Sequence, residues 1–163
     1  MKTFFARLFT VERTSRSMDF AILLLRVMVI SSLVYHHGSD KIPDWDLLTH
    51  RKVPLDPIGI GVVPSLVFAT FSDLICGSLV ILGAATRIAS LFCAITVFTV
   101  AFFIDHALTT PYWPVPHGNH AEMCWIYTAV CLFLMIAGPG RYSIDAKFFQ
   151  AKVTEMTAVG AAD

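Results

Sequence analysis

Four long apolar stretches alternate with short polar segments along the chain, and each is a candidate membrane-spanning helix. They cover about residues 19–37, 58–85, 88–106 and 120–138. A helix needs about 20 apolar residues to cross about 30 Å of hydrocarbon, and each stretch reaches or approaches that length. The alternating pattern of a membrane β-strand is not seen in them. The sequence therefore predicts an all-α membrane protein, a four-transmembrane-helix antiparallel bundle that forms a single domain over residues 1–163.

Amphipathic segments flank the predicted bundle on both sides. In segments 3–16 and 143–157, apolar side chains share one helical face and cations lie on the other. This pattern is typical of short interfacial helices that lie on a membrane surface. Gly138-Pro139-Gly140 ends the fourth span, and Ser143 is placed to cap the helix that follows.

Composition supports a membrane location and excludes other classes of protein. Hydrophobic residues make up 56% of the chain and charged residues only 15%, against about 25% charged in a typical soluble domain. Disorder is excluded by this hydrophobicity. The 12 Lys and Arg balance the 12 Asp and Glu, so the basic excess of a nucleic-acid-binding protein is missing.

The distribution of cations predicts the orientation. A cytoplasmic N-terminus places on the cytoplasmic side Lys2, Arg7, Arg13, Arg16, Arg87, Arg141, Lys147 and Lys152. The opposite side then holds only Lys41, Arg51 and Lys52. Because cytoplasmic loops carry the excess of Lys and Arg, we expect both termini to be cytoplasmic.

Four sequence motifs follow one another along the bundle. The first span contains Leu23-Leu24-Leu25-Arg26 and ends in the segment 35–41, Tyr-His-His-Gly-Ser-Asp-Lys. The turn between the second and third spans, residues 81–89, reads Ile-Leu-Gly-Ala-Ala-Thr-Arg-Ile-Ala, and the fourth span ends in 138–145, Gly-Pro-Gly-Arg-Tyr-Ser-Ile-Asp. In this order and spacing the motifs resemble the DoxX family of small bacterial four-helix inner-membrane proteins, over roughly residues 20–146.

The resemblance implies a place in the bacterial cytoplasmic membrane and a link to redox chemistry. Relatives of this kind include DoxD-type subunits of a thiosulfate:quinone oxidoreductase and membrane partners in oxidative-stress complexes. The implied function is a quinone-contacting subunit, or a partner of an oxidoreductase system. The sequence has no segment typical of a nucleotide site, so electrons would come from a redox protein partner or a bound cofactor.

Among the ionisable residues within or at the mouth of the predicted spans, three are candidates for an internal polar site: Arg26, Asp73 and Glu122. Such groups are costly in hydrocarbon, so we expect them to face the bundle interior or water. From the helical rise, Arg26 lies about 10 Å and Asp73 about 21 Å from the cytoplasmic ends of their spans. They are candidates for an internal polar site, either a buried ion pair between Arg26 and Asp73 or a site for a quinone headgroup or protons; contact of Arg26 with a lipid headgroup is a further alternative.

All six histidines fall on the predicted outer side. Together with nearby carboxylates they form a set of candidate cofactor or metal ligands: His36, His37, Asp105, His106, His117, His120 and Glu122. Imidazole and carboxylate suit a transition metal, and imidazole also suits haem. The spacing His117-x-x-His120-x-Glu122 matches no defined metal motif. Interfacial histidines that contact quinone and a pH sensor are the alternatives.

The four cysteines all lie within the predicted spans, at positions 76, 93, 124 and 131. We expect them to be buried and chemically inert. Besides the redox-associated function, two alternatives stay open. One is a metal-handling protein that uses the histidine-rich outer side, which would need a homo-oligomer for transport because four helices are few. The other is a non-catalytic membrane scaffold.

Overall fold

The computed structural model describes residues 15–49, 56–57, 59–104 and 121–148, and within these residues it contains helices and no strand. Helix α1 is Arg16–Gly38, followed by the 3₁₀ turn Ser39–Lys41, and α2 is the short helix Trp45–Thr49. Helix α3 is Val62–Leu82, α4 is Thr86–Thr99 with a π-helical extension Val100–Ile104, and α5 is Ala121–Ala137. Residues 144–148 are helical and are called α6. The all-α prediction is confirmed.

Three of these helices are long and apolar enough to cross a membrane: α1, α3 and α4, with spans of 23, 21 and 18 residues. Helix α5 is apolar but has only 17 residues. Large apolar side chains point outward from the bundle, among them Met28, Phe71, Ile95 and Ile136. A helical bundle with such an apolar exterior is suited to contact with lipid. The protein is therefore a multi-pass membrane protein whose surface meets the bilayer.

Contacts between helices establish an antiparallel arrangement. Helix α1 runs against α3, because Arg26 bonds near the end of α3 and Lys41 bonds to Asp73 in its middle. Helix α1 also runs against α5, since Ser32 contacts Tyr127 while the start of α1 lies beside Gly140. Contacts near both ends of α4 and α5 show that these two helices are also antiparallel to each other.

Between α4 and α5, Arg87 at the start of α4 packs against Gly138 just after α5. At the other end, the rings of Phe98 and Trp125 lie 5.8 Å apart. The four long helices thus form one bundle. We call its two halves the Gly-Pro-Gly end, beside Gly138-Pro139-Gly140, and the cavity end, beside Lys41 and Tyr127.

The turn between α3 and α4 is held by a residue from the far end of the chain. Gly83 ends α3 in the left-handed conformation, and Ala85 also has a positive φ of 47°. The carboxylate of Asp145 accepts hydrogen bonds from the backbone N–H groups of Ala85 and Thr86, at 2.9 and 3.1 Å. Asp145 therefore caps α4 in the way that an N-cap residue does, but from another segment.

The predicted cap of the last helix is confirmed. The Oγ of Ser143 accepts a hydrogen bond from the N–H of Ala146 at 3.0 Å and donates one to the carbonyl of Gly140 at 2.7 Å. The rest of the predicted C-terminal interfacial segment, 149–157, and residues 3–14 of the N-terminal one lie outside the described residues.

The long helices contain four π-helical segments: Arg26–Ile30, Val34–Gly38, Phe71–Cys76 and Val100–Ile104. Such segments shift the side chains that follow them and are frequent at functional sites. Three of the four supply residues to the cavity end, namely His36 and His37, Asp73, and Val100. The bundle is therefore locally irregular where its polar side chains face inward.

The interior is packed with small and medium side chains. All four cysteines are buried and none forms a disulfide, as the sequence predicts. The thiol of Cys93 donates to the backbone carbonyl of Ser72 at 3.3 Å, which joins α4 to the π-helical part of α3.

Candidate functional site

The three predicted internal charges lie at different places in the bundle. Arg26 lies at the Gly-Pro-Gly end, Asp73 faces the cavity end, and Glu122 is exposed in the first turn of α5. One of the alternatives drawn from the sequence, a buried ion pair between Arg26 and Asp73, is wrong. Arg26 bonds to carbonyl groups near Val80, seven residues beyond Asp73, a separation of about 10 Å along the helix. Asp73 is paired with Lys41 instead.

Arg26 is 1% exposed and holds the ends of two segments together. Its Nε and Nη2 donate to the carbonyls of Val80 and Ile81, both at 2.9 Å. Its Nη1 donates to the carbonyls of Pro139 and Tyr142. The last carbonyls of a helix have no partner within it and carry its negative partial charge. Val80 and Ile81 lie in the last turn of α3, whereas Pro139 and Tyr142 follow α5. A planar guanidinium with several fixed donors suits these four carbonyl acceptors, so this end of the bundle has a structural role.

A second buried charge supports the same end. Asp19 is 1% exposed, accepts a hydrogen bond from the backbone N–H of Arg141 at 3.3 Å, and forms an ion pair with the Arg141 Nε at 3.2 Å. Asp19, Arg26 and Asp145 thus fix the segment after α5 to α1, α3 and α4. Neither Asp19 nor Asp145 was singled out as a candidate from the sequence. The signal that could have found them is their position beside helix ends whose backbone groups need partners.

The cavity end has a different character. The Nζ of Lys41 donates to the Oδ2 of Asp73 at 2.5 Å and also to the backbone carbonyl of His37. The Asp73 side chain is 5% exposed and that of Lys41 is 20% exposed. Asp73 is held inside the bundle by the π-helical part of α3, and Lys41 returns toward it because the 3₁₀ turn Ser39–Lys41 follows α1 directly. This ion pair links α1 to α3.

A cavity of about 340 Å³ opens beside the ion pair. Its polar lining comes from α1, α3 and α5 and from the segment after α1: His36, His37, Lys41, Asp44, Asp73 and Tyr127. Apolar residues including Leu33, Leu66 and Val97 complete it. The rings of His37 and Tyr127 meet edge to face at 5.6 Å, and the Tyr127 hydroxyl lies 3.0 Å from the Oγ of Ser32. We call this space the polar cavity.

An apolar cavity of about 350 Å³ adjoins it between α3 and α4. Its lining includes Ile60, Phe68 and Ile95, and it shares four lining residues with the polar cavity: Lys41, Leu66, Thr96 and Val100. We call this second space the apolar groove. Two adjacent spaces, one with charged groups and one almost wholly apolar, match a ligand that has a polar head and an apolar tail.

The predicted histidine set is only partly described. His36 and His37 line the polar cavity, whereas Asp105, His106, His117 and His120 lie outside the described residues. Within the part of the chain that the structure describes, His, Cys, Asp and Glu form no group of three or more that could hold a metal ion. The metal or haem site therefore stays a prediction that depends on the undescribed residues.

Lys41 is a residue of the candidate site that the sequence did not single out. It follows the apolar stretch of the first span and was counted as a cation of the outer loop. The signal that could have found it is its spacing of four residues from His37, since such residues share a helical face if the helix continues. That face leads back to the bundle interior and to Asp73.

Comparisons with known proteins agree with the architecture. The family model described as DoxX matches residues 21–106, just over half of the chain. No curated protein and no solved structure matches the chain significantly. The matched stretch contains Arg26 of the Gly-Pro-Gly end and both residues of the Lys41–Asp73 ion pair at the cavity end.

Proposed function

The chain belongs to the DoxX family of membrane proteins, and from this premise we propose that it is a quinone-contacting membrane subunit or partner of an oxidoreductase system. We place it in the bacterial cytoplasmic membrane with both termini cytoplasmic, because Lys and Arg are concentrated on that side of the predicted spans. In this orientation the polar cavity lies toward the outer half of the bundle. The electrons come from a redox protein partner, while this chain provides the quinone site.

The observation that carries the proposal is the continuity of the polar cavity with the apolar groove at Lys41 and Leu66. A quinone has a polar ring with two carbonyl acceptors and a long apolar tail. The ring suits the polar cavity, where the Lys41 ammonium and the Tyr127 hydroxyl are potential donors. The tail suits the apolar groove between α3 and α4. The residues therefore fit the chemistry of the group.

A direct test is photo-crosslinking with an azido-quinone that carries a decyl tail, on the full chain in lipid nanodiscs. We expect labelled peptides from the end of α1, from the part of α3 near Leu66 and from the part of α4 near Thr96. An excess of decyl-ubiquinone should abolish the labelling. Labelling spread over the lipid-facing surface, without competition, would contradict the proposal.

A matched pair of variants sharpens the test. Leu66 is 3% exposed and lines both spaces, whereas Leu24 is 42% exposed on the outer surface of α1. Leu66→Phe should fill the junction and weaken decyl-ubiquinone binding by about tenfold or more, since an added aromatic ring overpacks a filled site. Leu24→Phe should bind as the wild type does. Equal binding by both variants would place the quinone elsewhere and refute a site at the junction of the two spaces.

A further inference from the structure

The ion pair at the cavity end has an incomplete set of hydrogen bonds. The Lys41 ammonium has three N–H donors, and two of them are used, for the Oδ2 of Asp73 and the carbonyl of His37. Asp73 is 4% exposed, and its Oδ1 is buried without a hydrogen-bond partner among the described residues. The pair therefore has one further donor and one further acceptor, and both residues line the polar cavity.

A buried carboxylate oxygen without a hydrogen-bond donor is unfavourable. A ligand that supplies the donor removes this cost and therefore binds more tightly. In the structure Lys41 bonds to the Oδ2 of Asp73 and to the carbonyl of His37, and not to the Oδ1. The second carboxylate on the wall of this cavity, Asp44, is exposed to solvent and can be hydrated there. Among the described residues of the cavity, the Oδ1 of Asp73 therefore still needs a hydrogen-bond donor.

The oxidised and reduced forms of a quinone differ in whether they can donate a hydrogen bond. The oxidised ring carries carbonyl groups, which only accept hydrogen bonds, so it can bond to Lys41 but leaves the Oδ1 of Asp73 without a donor. The reduced ring carries hydroxyl groups, and one hydroxyl can donate to Asp73 while its oxygen accepts from Lys41. Only the reduced ring completes both partners of the ion pair.

We propose that the Lys41–Asp73 pair makes the polar cavity selective for quinol over quinone, with Asp73 as the acceptor of a quinol hydroxyl. This inference rests on the proposed quinone-contacting function and adds the redox state that the site takes. Asp73 is a specificity-determining residue in this account, and no electron or proton transfer is assigned to it.

The size of the preference follows from the cost of a charged group left without its partner. We expect decyl-ubiquinol to bind about tenfold more tightly than decyl-ubiquinone, or more. For a two-electron couple, a tenfold preference for the reduced form raises the midpoint potential of the bound couple by about 30 mV. The potential is a second readout that does not depend on any enzymatic activity.

The experiment is a titration of the full chain in lipid nanodiscs with decyl-ubiquinone and, under anaerobic conditions, with decyl-ubiquinol. Asp73→Asn should abolish the preference, because the amide NH₂ can donate to a quinone carbonyl. Ser72→Ala is the matched control. Ser72 is the neighbour of Asp73, is fully buried and also has an unpaired side-chain oxygen, but it does not line the polar cavity. The control should keep the wild-type ratio.

The outcomes separate this inference from the function on which it rests. Equal affinities of the wild type for the two forms overturn the selectivity but leave a quinone site. Absence of binding by both forms overturns the proposed function itself. A preference that survives in Asp73→Asn also overturns the inference, and if that variant does not fold, the wild-type ratio and potential decide alone.

Discussion

The guanidinium of Arg26 in α1 donates a hydrogen bond to the backbone carbonyl of Pro139, which lies 113 residues further along the chain. The same side chain bonds to carbonyls of Val80 and Ile81 at the end of α3 and to that of Tyr142. One buried cation thus connects three segments that the family motifs mark separately. It stabilises the bundle by donating to carbonyls at the end of α3 and in the segment after α5, because hydrocarbon offers no water to bond to them.

Replacement of Arg26 should therefore be strongly destabilising. Arg26→Met removes all four donors, and we expect the free energy of unfolding to fall by more than about 3 kcal/mol. Arg26→Lys should fall between this variant and the wild type, because an ammonium cannot reproduce the geometry of the guanidinium. The measurement is unfolding in mixed micelles titrated with a denaturing detergent.

The control is Arg16→Met, which makes the same substitution in the same helix at an exposed position. It should change the free energy of unfolding by no more than about 0.5 kcal/mol. If Arg26→Met and Arg16→Met lowered the unfolding free energy equally, the hydrogen bonds of Arg26 to the four carbonyls would not stabilise the bundle, and its structural role would be refuted.

The close packing around Arg26 gives a second prediction, at Gly83. This glycine has φ +75°, and a Cβ there would lie 2.5 Å from the Ser143 Cβ and 2.6 Å from the Arg26 Nη2. Gly83→Ala combines a left-handed backbone with a steric clash, so we expect a loss of more than about 2 kcal/mol in unfolding free energy.

Gly59 separates the two causes. It also has φ +75°, but a Cβ there would meet nothing within 4 Å. Gly59→Ala should cost only about 1 kcal/mol, the conformational part alone. Equal losses for the two variants would mean that Ser143 and Arg26 move aside at little cost, and the tight packing of the Gly-Pro-Gly end would then be wrong.

The sequence predicts some features of this protein well because they depend on composition over long windows. Apolar stretches of about 20 residues identified the spanning helices, and the cost of charge in hydrocarbon placed Asp73 inside the bundle. The capping role of Ser143 followed from its position after a Gly-Pro-Gly stop. Each of these is a local or one-dimensional property.

The partners of the buried charges were not predictable in the same way. The alternative of an Arg26–Asp73 pair rested on depths counted along ideal helices and on the opposite charges of two neighbouring spans. In the structure, Arg26 donates hydrogen bonds to backbone carbonyls at the end of α3 and after α5, and a 3₁₀ turn after α1 brings Lys41 to Asp73. Unpaired carbonyls and a change of helix type leave no side-chain signature, so the sequence pattern alone does not reveal them.

A pH-dependent prediction concerns Asp56, which lies outside the spanning helices. Burial opposes its ionisation, but hydrogen bonds from the N–H groups of Gly61 and Ile60 and from the Ser65 hydroxyl outweigh this and lower its pKa. Because the folded pKa lies below the unfolded one, the stabilisation is complete above the unfolded pKa, about 3.9. It is lost as the pH falls through the lower, folded pKa.

The check is a carbon-13 NMR titration of the Asp56 carboxyl in detergent micelles. We expect a midpoint below the ordinary range for aspartate. Ser65→Ala removes one of the donors and should move the midpoint upward. A midpoint at or above the ordinary value in the wild type would show that the turn before α3 does not bind the carboxylate in its charged form.

The last prediction concerns the unequal burial of the two ends of the Lys41–Asp73 pair. The side chain of Asp73 is 5% exposed, whereas that of Lys41 is 20% exposed and borders both cavities. Lys41→Met leaves a buried carboxylate without its cation, and we expect a loss of about 3–5 kcal/mol. Asp73→Asn leaves a lysine that can turn toward the cavity mouth, so its loss should be smaller, about 1–2 kcal/mol. The double variant should be more stable than Lys41→Met alone, since the uncompensated charge is gone.

A double-mutant cycle of unfolding free energies measures this coupling, with exposed Lys147→Met as the control for loss of a cation. Additive losses would mean that the two charges do not stabilise each other, and the ion pair could then not be what holds the end of α1 against α3.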